Sequence, residues 1–96
     1  MTYSLITTRQ AKQDLKDIAK YIARENPVRA MTFIDEMEKY LEERLSHFPH
    51  SAKLVTHTIR MLPYKRYGIL YIVDEVNMIV KVLRIVSGRQ DWSDWN

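Results

Sequence analysis

The sequence contains no cysteine. This absence excludes disulfide bonds, zinc sites with thiolate ligands, and catalysis by a cysteine nucleophile. It also fits a reducing compartment, where proteins seldom depend on disulfides. Only two glycines occur among the 96 residues, and neither belongs to a glycine-rich loop of the kind that binds phosphate groups. The sequence also has no helical His-Glu-x-x-His motif and no nucleophile elbow.

Long apolar runs are missing as well. No window approaches the roughly 18 apolar residues of a membrane-spanning helix, and residues 1–9 lack the apolar stretch of a signal peptide. We therefore expect a cytoplasmic protein without a membrane partner. Hydrophobic residues make up 46% of the chain. They predict one globular domain over residues 1–96, because so short a chain cannot fill two cores.

Acidic residues are absent from the middle of the chain. None lies between Glu43 and Asp74, although the net charge is only +3. The same segment contains five cations and all three histidines: Arg44, Lys53, Arg60, Lys65, Arg66, His47, His50 and His57. Such a basic zone favours a polyanion or an acidic protein as partner. The alternative is a basic surface that only keeps the protein soluble.

The first half of the sequence predicts one strand and two helices. Alternating residues predict a strand over 2–7. Thr8 is placed to cap a first helix, and Asn26 with Pro27 is placed to begin a second helix over 27–46. Apolar stripes at helical spacing comprise Ala11, Leu15, Ile18 and Ile22, and then Ala30, Phe33, Ile34, Met37, Leu41 and Leu45. The short connection predicts an antiparallel helical hairpin.

The second half predicts three strands, over 57–62, 67–74 and 78–86, after a loop over 49–56. The turn that joins the first two strands carries the exposed cations Lys65 and Arg66. The predicted order is β-α-α-β-β-β. This order is typical of an α+β fold in which an antiparallel sheet packs on an N-terminal helical hairpin.

Both faces of this sheet are predicted to be apolar. In the strand 67–74, one face carries Gly68, Leu70 and Ile72, and the other carries Tyr67, Ile69, Tyr71 and Val73. In the strand 78–86, Met78, Val80, Val82, Arg84 and Val86 face away from Ile79, Lys81, Leu83 and Ile85. Two helices cover only one face, so the second needs another polypeptide or stays exposed. Alternatively, the N-terminal strand, the 47–56 loop and the C-terminal tail close it.

Three arginines, Arg60, Arg84 and Arg89, are the main candidates for binding an anion. The guanidinium fork holds a phosphate or a carboxylate through two hydrogen bonds. The structural alternative is ion pairing with an acidic side chain at Asp74, Glu75, Asp91 or Asp94. In the tail, Trp95 is the better candidate for contact with a partner, whereas Trp92 is expected to complete the core.

Cleavage of RNA through the 2′-hydroxyl requires a base, an acid and a cation at the phosphate. Arginines supply the cation, but no histidine or glutamate falls in the last strand or the tail. Lys53 is the nearest basic alternative, and an exposed lysine is protonated at neutral pH. The three histidines show no metal-ligand spacing, so we expect neither a metal nor a cofactor.

The order of several short motifs resembles the toxins of the ParE/RelE superfamily. The helical part has Ala11, Asp14-Leu15, Ile18, Tyr21-Ile22, Asn26-Pro27, Ala30 and Phe33. The sheet part has Ile59-Arg60, Leu62-Pro63, Tyr67, Leu70-Tyr71, Val73-Asp74, Val82-Leu83-Arg84-Ile85 and Gly88-Arg89-Gln90-Asp91-Trp92. The resemblance covers nearly the whole chain and implies the same β-α-α-β-β-β fold.

The resemblance also implies the toxin half of a bacterial type II toxin–antitoxin pair, with growth arrest and plasmid stabilisation as its roles. The partner would be an antitoxin whose C-terminal segment wraps the toxin. ParE members that the chain resembles act against DNA gyrase, whereas RelE members cleave messenger RNA on the ribosome. Ser87 replaces the histidine of many relatives, and the tail has no tyrosine. These departures favour the gyrase branch, and the usual ParE string also lacks this serine.

These arguments give three hypotheses: a gyrase inhibitor, a ribosome-dependent ribonuclease, or a degenerate toxin that only binds its antitoxin. We expect no sequence-specific DNA binding by the toxin alone. The candidates for target contact are Arg60, Lys65, Arg66, Arg84, Arg89, Trp92 and Trp95. A ribonuclease would use Arg60, Arg89 and Lys53. The candidates for antitoxin contact are Tyr67, Ile69, Tyr71, Leu83 and Ile85.

Overall fold

Two polar caps begin the two helices. In the computed structural model, which describes residues 2–87, α1 spans Arg9–Ala23 and α2 spans Pro27–His47. The Thr8 side chain accepts a hydrogen bond from the Ala11 amide, and the Asn26 side chain accepts one from the Arg29 amide. Each cap satisfies an amide that a helix start otherwise leaves unpaired. Both predicted caps are confirmed.

Five strands form one sheet: β1 (Ser4–Thr7), β2 (Lys53–Leu54), β3 (Arg60–Tyr64), β4 (Tyr67–Asp74) and β5 (Ile79–Ser87). The spatial order is β1-β5-β4-β3-β2. Pairing is antiparallel except between β1 and β5, which run parallel. The predicted α+β order is confirmed, with two corrections. The sheet is mixed, and the predicted 49–56 loop contains the short β2.

The core lies between the helices and one face of the sheet. From the helices come Ala11, Ile18, Phe33, Met37, Leu41 and Leu45, and from the sheet come Leu62, Ile69, Tyr71, Val80, Val82 and Ile85. All of these side chains are buried. Full burial of a large apolar side chain contributes about 1.5–3 kcal/mol, so this layer supplies most of the stabilisation that fixes the sheet against the helices.

An irregularity in β5 changes which side chains face the helices. Leu70 lies opposite Arg84, but the next residue, Tyr71, lies opposite Val82. Leu83 is therefore an extra residue, as in a β-bulge. The extra residue reverses the alternation, so Ile85 joins Val82 in the core. The predicted strict alternation, which placed these two side chains on opposite faces, is wrong for this reason.

The face away from the helices is less open than its sequence suggests. Leu70 is only 2% exposed and Val86 only 7%, and neither belongs to the helix-side core. The prediction that this face needs a partner or stays exposed is therefore wrong at Leu70 and Val86, which the chain itself buries. On the same face Ile6 is 43% exposed. The more strongly exposed apolar side chains of the described chain lie mainly on the helical hairpin and in turns: Tyr21, Val28, Met31, Phe48 and Val76.

Candidate functional site

The start of α1 is fastened to β5 at the bulge. The last residue of β1 pairs with Val82. Beyond Val82, the backbone groups on this edge of β5 have no strand beside them and need other hydrogen-bond partners. The Thr8 hydroxyl donates to the carbonyl oxygens of Val82 (2.9 Å) and Leu83 (3.1 Å). One carboxylate oxygen of Asp14 accepts from the backbone amide of Ile85 at 2.9 Å. These contacts fix the bulge and bring Arg84 next to Asp14.

Arg84 is held by Asp14 through two hydrogen bonds. Its Nε donates to Oδ2 at 2.8 Å and its Nη2 donates to Oδ1 at 3.2 Å. Burial alone raises the pKa of Asp14, but the bonds from Arg84, the Ile85 amide and Gln10 outweigh it, so the net pKa lies below the usual 3.8. The same pairing raises the pKa of Arg84. The predicted ion pairing occurs, but with a different acid from the four expected.

Arg60 fastens a loop to the sheet. Its Nη1 donates to the carbonyl oxygens of His50 (3.1 Å) and Ala52 (2.7 Å). The buried Tyr71 hydroxyl donates to the carbonyl oxygen of Pro49 at 2.7 Å. Lys53 lies beyond this loop, exposed in β2 and opposite Met61. The guanidinium proposed to bind phosphate is therefore bonded to the backbone of its own chain.

A small groove beside Arg60 brings together ionisable groups that the sequence did not connect. His50 Nε2 and Glu75 Oε1 are 2.7 Å apart, and His57 and Thr58 line the same groove. The ring of Tyr3 meets that of His50 edge to face. His50 follows α2 and Glu75 lies in the β4–β5 turn, so no local spacing in the sequence signals this pair.

The tip of the β3–β4 hairpin presents Lys65 and Arg66, as predicted from the turn. Both are exposed, and neither forms an ion pair within residues 2–87. Aromatic rings lie next to them. We call the group of Phe33, Tyr64, Lys65, Arg66 and Tyr67 the hairpin patch.

The predicted antitoxin contacts lie mostly in the core. Ile69 and Tyr71 are fully buried and Ile85 nearly so, all three in the cluster under the helices. They offer no surface to a partner, so the prediction is wrong for them. The reason is that the face assigned to the antitoxin is the face that the helices cover. Tyr67 and Leu83 are half-buried and keep some accessible surface.

Accessible apolar surface is concentrated on the helical hairpin instead. Ala19, Ala23, Ala30, Met31 and Ile34 line a groove between α1 and α2, and Met31 is 74% exposed. The sequence prediction had assigned the apolar stripes of both helices to the core. The alanines, which are small, leave the groove open where larger side chains would fill it.

Three predicted site residues, Arg89, Trp92 and Trp95, lie outside the described residues. Within residues 2–87, no helix has the length and apolar character needed to cross a bilayer. The same part of the chain has no group of three or more side chains placed to ligate a metal ion.

Comparison with known proteins agrees with this architecture. A family model for the ParE toxin of the type II toxin–antitoxin system parDE matches residues 5–92. A chain of the chromosomal ParDE system from P. aeruginosa is 21% identical, with a TM-score of 0.74 over 88% of this chain and 95% of that one. No curated protein sequence gives a significant match.

Two further solved structures share the fold. A chain of the RelBE2 toxin–antitoxin complex from Mycobacterium tuberculosis is 20% identical, with a TM-score of 0.71 over 91% of this chain and 92% of that one. A chain of the archaeal RelE–RelB complex from Pyrococcus horikoshii OT3 is 14% identical, with a TM-score of 0.54 over 95% and 100% of the two chains. The family match spans most of the sequence and the fold agrees with it, so the chain belongs to the ParE toxin family of type II toxin–antitoxin systems.

Proposed function

We propose that this toxin inhibits DNA gyrase and is neutralised by a cognate antitoxin. One observation carries the choice of gyrase over RNA cleavage. The two sheet arginines described by the structure, Arg60 and Arg84, are bonded to loop carbonyls and to Asp14. A phosphate would have to compete with these partners, and phosphoryl chemistry depends on cations that are free to stabilise developing charge.

The direct test uses toxin that has been freed of antitoxin and refolded. We expect it to inhibit gyrase supercoiling and to leave translated messenger RNA intact. Adding the antitoxin back should restore supercoiling, which controls for nonspecific inhibition by a basic protein. Unimpaired supercoiling at a large molar excess of folded toxin contradicts the proposal. If such toxin binds antitoxin but leaves growth unaffected when expressed alone, the degenerate-toxin hypothesis takes its place.

We further propose that an antitoxin segment covers the groove between α1 and α2. Exposed apolar surface favours burial by a partner. Met31, which lines this groove, is 74% exposed and is the most exposed large apolar side chain of the described helices. The solved neighbours are toxin–antitoxin complexes, which supports an antitoxin as the occupant. The buried sheet candidates Ile69, Tyr71 and Ile85 cannot serve this purpose.

A specific observation favours a second candidate, the ribosome-dependent ribonuclease. His50 and Glu75 form a hydrogen-bonded pair beside Arg60 and His57, and a histidine oriented by a carboxylate is a common general base. If the toxin cuts RNA, His50→Gln should abolish cleavage and leave antitoxin binding unchanged. His47→Gln is the matched control, since His47 is an exposed histidine at the end of α2. Equal cleavage by both variants contradicts this role for the pair.

A further inference from the structure

The hairpin patch is built around a lysine with an unusual backbone. Tyr64 pairs with Tyr67, leaving Lys65 and Arg66 as the two-residue loop. Lys65 has φ = 54°, in the left-handed region that glycine or asparagine usually occupies in such turns. Only Gly enters this region without a steric cost. Lys65 therefore occupies a position that glycine would adopt at lower cost, as does Met78 in the β4–β5 connection.

The ring layer beneath the turn positions the lysine ammonium. Lys65 Nζ lies 6.0 Å from the centroid of the Phe33 ring and 5.8 Å from that of Tyr64. Tyr67 packs against Phe33 with centroids 5.7 Å apart. Cations are attracted to ring faces at such distances, so the ammonium is held near the aromatic surface although the side chain is exposed.

Every polar side chain of the hairpin patch can donate a hydrogen bond, and the two phenols can also accept one. The Tyr64 and Tyr67 phenols are protonated at neutral pH in any case, and burial raises the pKa of both further. With the Lys65 ammonium and the Arg66 guanidinium they make four donor side chains. Within residues 2–87 these four side chains donate to no other group. The two cations favour a partner that supplies acceptors and negative charge.

We infer that the hairpin patch binds an acidic segment of the target protein; this inference rests on the proposed action against gyrase. Carboxylates supply both hydrogen-bond acceptors and the negative charge that complements Lys65 and Arg66. A nucleic acid fits less well, because bases stack on accessible ring faces. In the hairpin patch Phe33 is buried and Tyr64 and Tyr67 are half-buried.

Glu36, the carboxylate that feels the charge of Lys65, already has a partner of its own. Glu36 is bonded to Arg29 at 3.0 Å, and this bond lowers its pKa, with a smaller contribution from the charge of Lys65. Glu36 therefore stays ionised and engaged with Arg29.

The test compares two double variants of the refolded toxin that change the net charge equally. Lys65→Glu with Arg66→Glu reverses the hairpin patch, and Lys12→Glu with Lys16→Glu reverses two exposed cations on α1. We expect the hairpin variant to need at least about tenfold more toxin for half-inhibition of supercoiling, because like charges then face each other across the contact. The α1 variant should stay within about twofold, and the antitoxin affinity of both should match the wild type.

Lys65→Gly separates loss of contact from loss of folding. Glycine removes the ammonium and relieves the left-handed strain, so the Tm should stay equal or rise by a few degrees, about 4 °C at most. Gyrase inhibition should nevertheless weaken. A weaker toxin with a higher Tm cannot be explained by misfolding.

The outcomes distinguish this inference from the proposed function. If the wild type inhibits gyrase and the hairpin variant inhibits it equally, the inference is wrong and the proposed function stands. The inference is also wrong if the hairpin variant loses antitoxin binding, because the antitoxin then occupies the patch. It is likewise wrong if the hairpin variant loses RNA binding while gyrase inhibition is unchanged, because RNA is then the occupant. If the wild type does not inhibit gyrase, the proposed function is wrong and the inference falls with it.

Discussion

Asp14 and Arg84 lie 70 residues apart in the sequence and form a two-point ion pair between α1 and β5. The same carboxylate accepts a third hydrogen bond, from the Ile85 amide. This one side chain therefore neutralises the arginine and satisfies a backbone group at the bulge. The pair shows why a cation on the sheet of this toxin need not serve the target: its first role is to hold the helix on the sheet.

Replacing Asp14 by Ala should destabilise the protein by about 2–3 kcal/mol. The substitution leaves the Ile85 amide without its acceptor, and an unsatisfied buried donor costs about 1–3 kcal/mol, with more when a charged partner is lost. Urea unfolding followed by circular dichroism measures the change. Asp17→Ala, on the exposed side of α1, is the matched control and should change stability by less than about 0.5 kcal/mol. Equal effects of the two substitutions would show that the bonds of Asp14 add nothing.

The ion pair of Asp14 and Arg84 predicts that the protein loses stability in acid. The pKa of Asp14 is lower in the folded protein than its ordinary value of 3.8, so folding favours the ionised form. The contribution is complete above the unfolded pKa and disappears as the pH falls through the folded pKa. We expect the stability difference between wild type and Asp14→Asn to be constant from pH 7 to about 5 and to shrink below about 4. A difference that grows toward low pH would contradict the direction of this shift.

Local signals in the sequence predicted the helices well. Thr8 and the pair Asn26-Pro27 set the helix starts, because a cap acts within a few residues of itself. The strand 67–74 was also predicted with the bounds that the structure has. β2 was missed because it has only two residues. They are strand residues only because they pair with Arg60 and Met61, which no local pattern can show.

Long-range features were the ones that sequence reasoning missed. The extra residue Leu83 cannot be read from alternation, since its position is set by how β5 meets β4 and α1. The partner of Arg84 had a detectable signal: Asp14 lies on the apolar stripe between Ala11 and Ile18, and a carboxylate on a buried helix face needs a cation or an amide. The pair of His50 and Glu75 had none, because both residues lie in turns.

The loop over 49–52 is expected to depend on two side chains together. Arg60→Ala removes two hydrogen bonds to the loop, and Tyr71→Phe removes the bond to the Pro49 carbonyl. Each substitution should cost about 1–2 kcal/mol. The double variant should cost less than their sum, because the second bond has little to hold once the loop is released. Thermal unfolding of the four proteins gives the coupling energy, and strict additivity would show that the two side chains act independently.

Antitoxin binding should depend on the helical groove and not on the exposed turns. Met31→Glu places a charge in the proposed contact, where its burial against an apolar segment is unfavourable. We expect the dissociation constant for the antitoxin, measured by calorimetry, to rise at least about tenfold, which corresponds to about 1.4 kcal/mol. Val76→Glu is the matched control, since Val76 is 91% exposed in the β4–β5 turn and lies outside the groove. If the Val76 variant loses as much affinity as the Met31 variant, the antitoxin does not select the groove between α1 and α2.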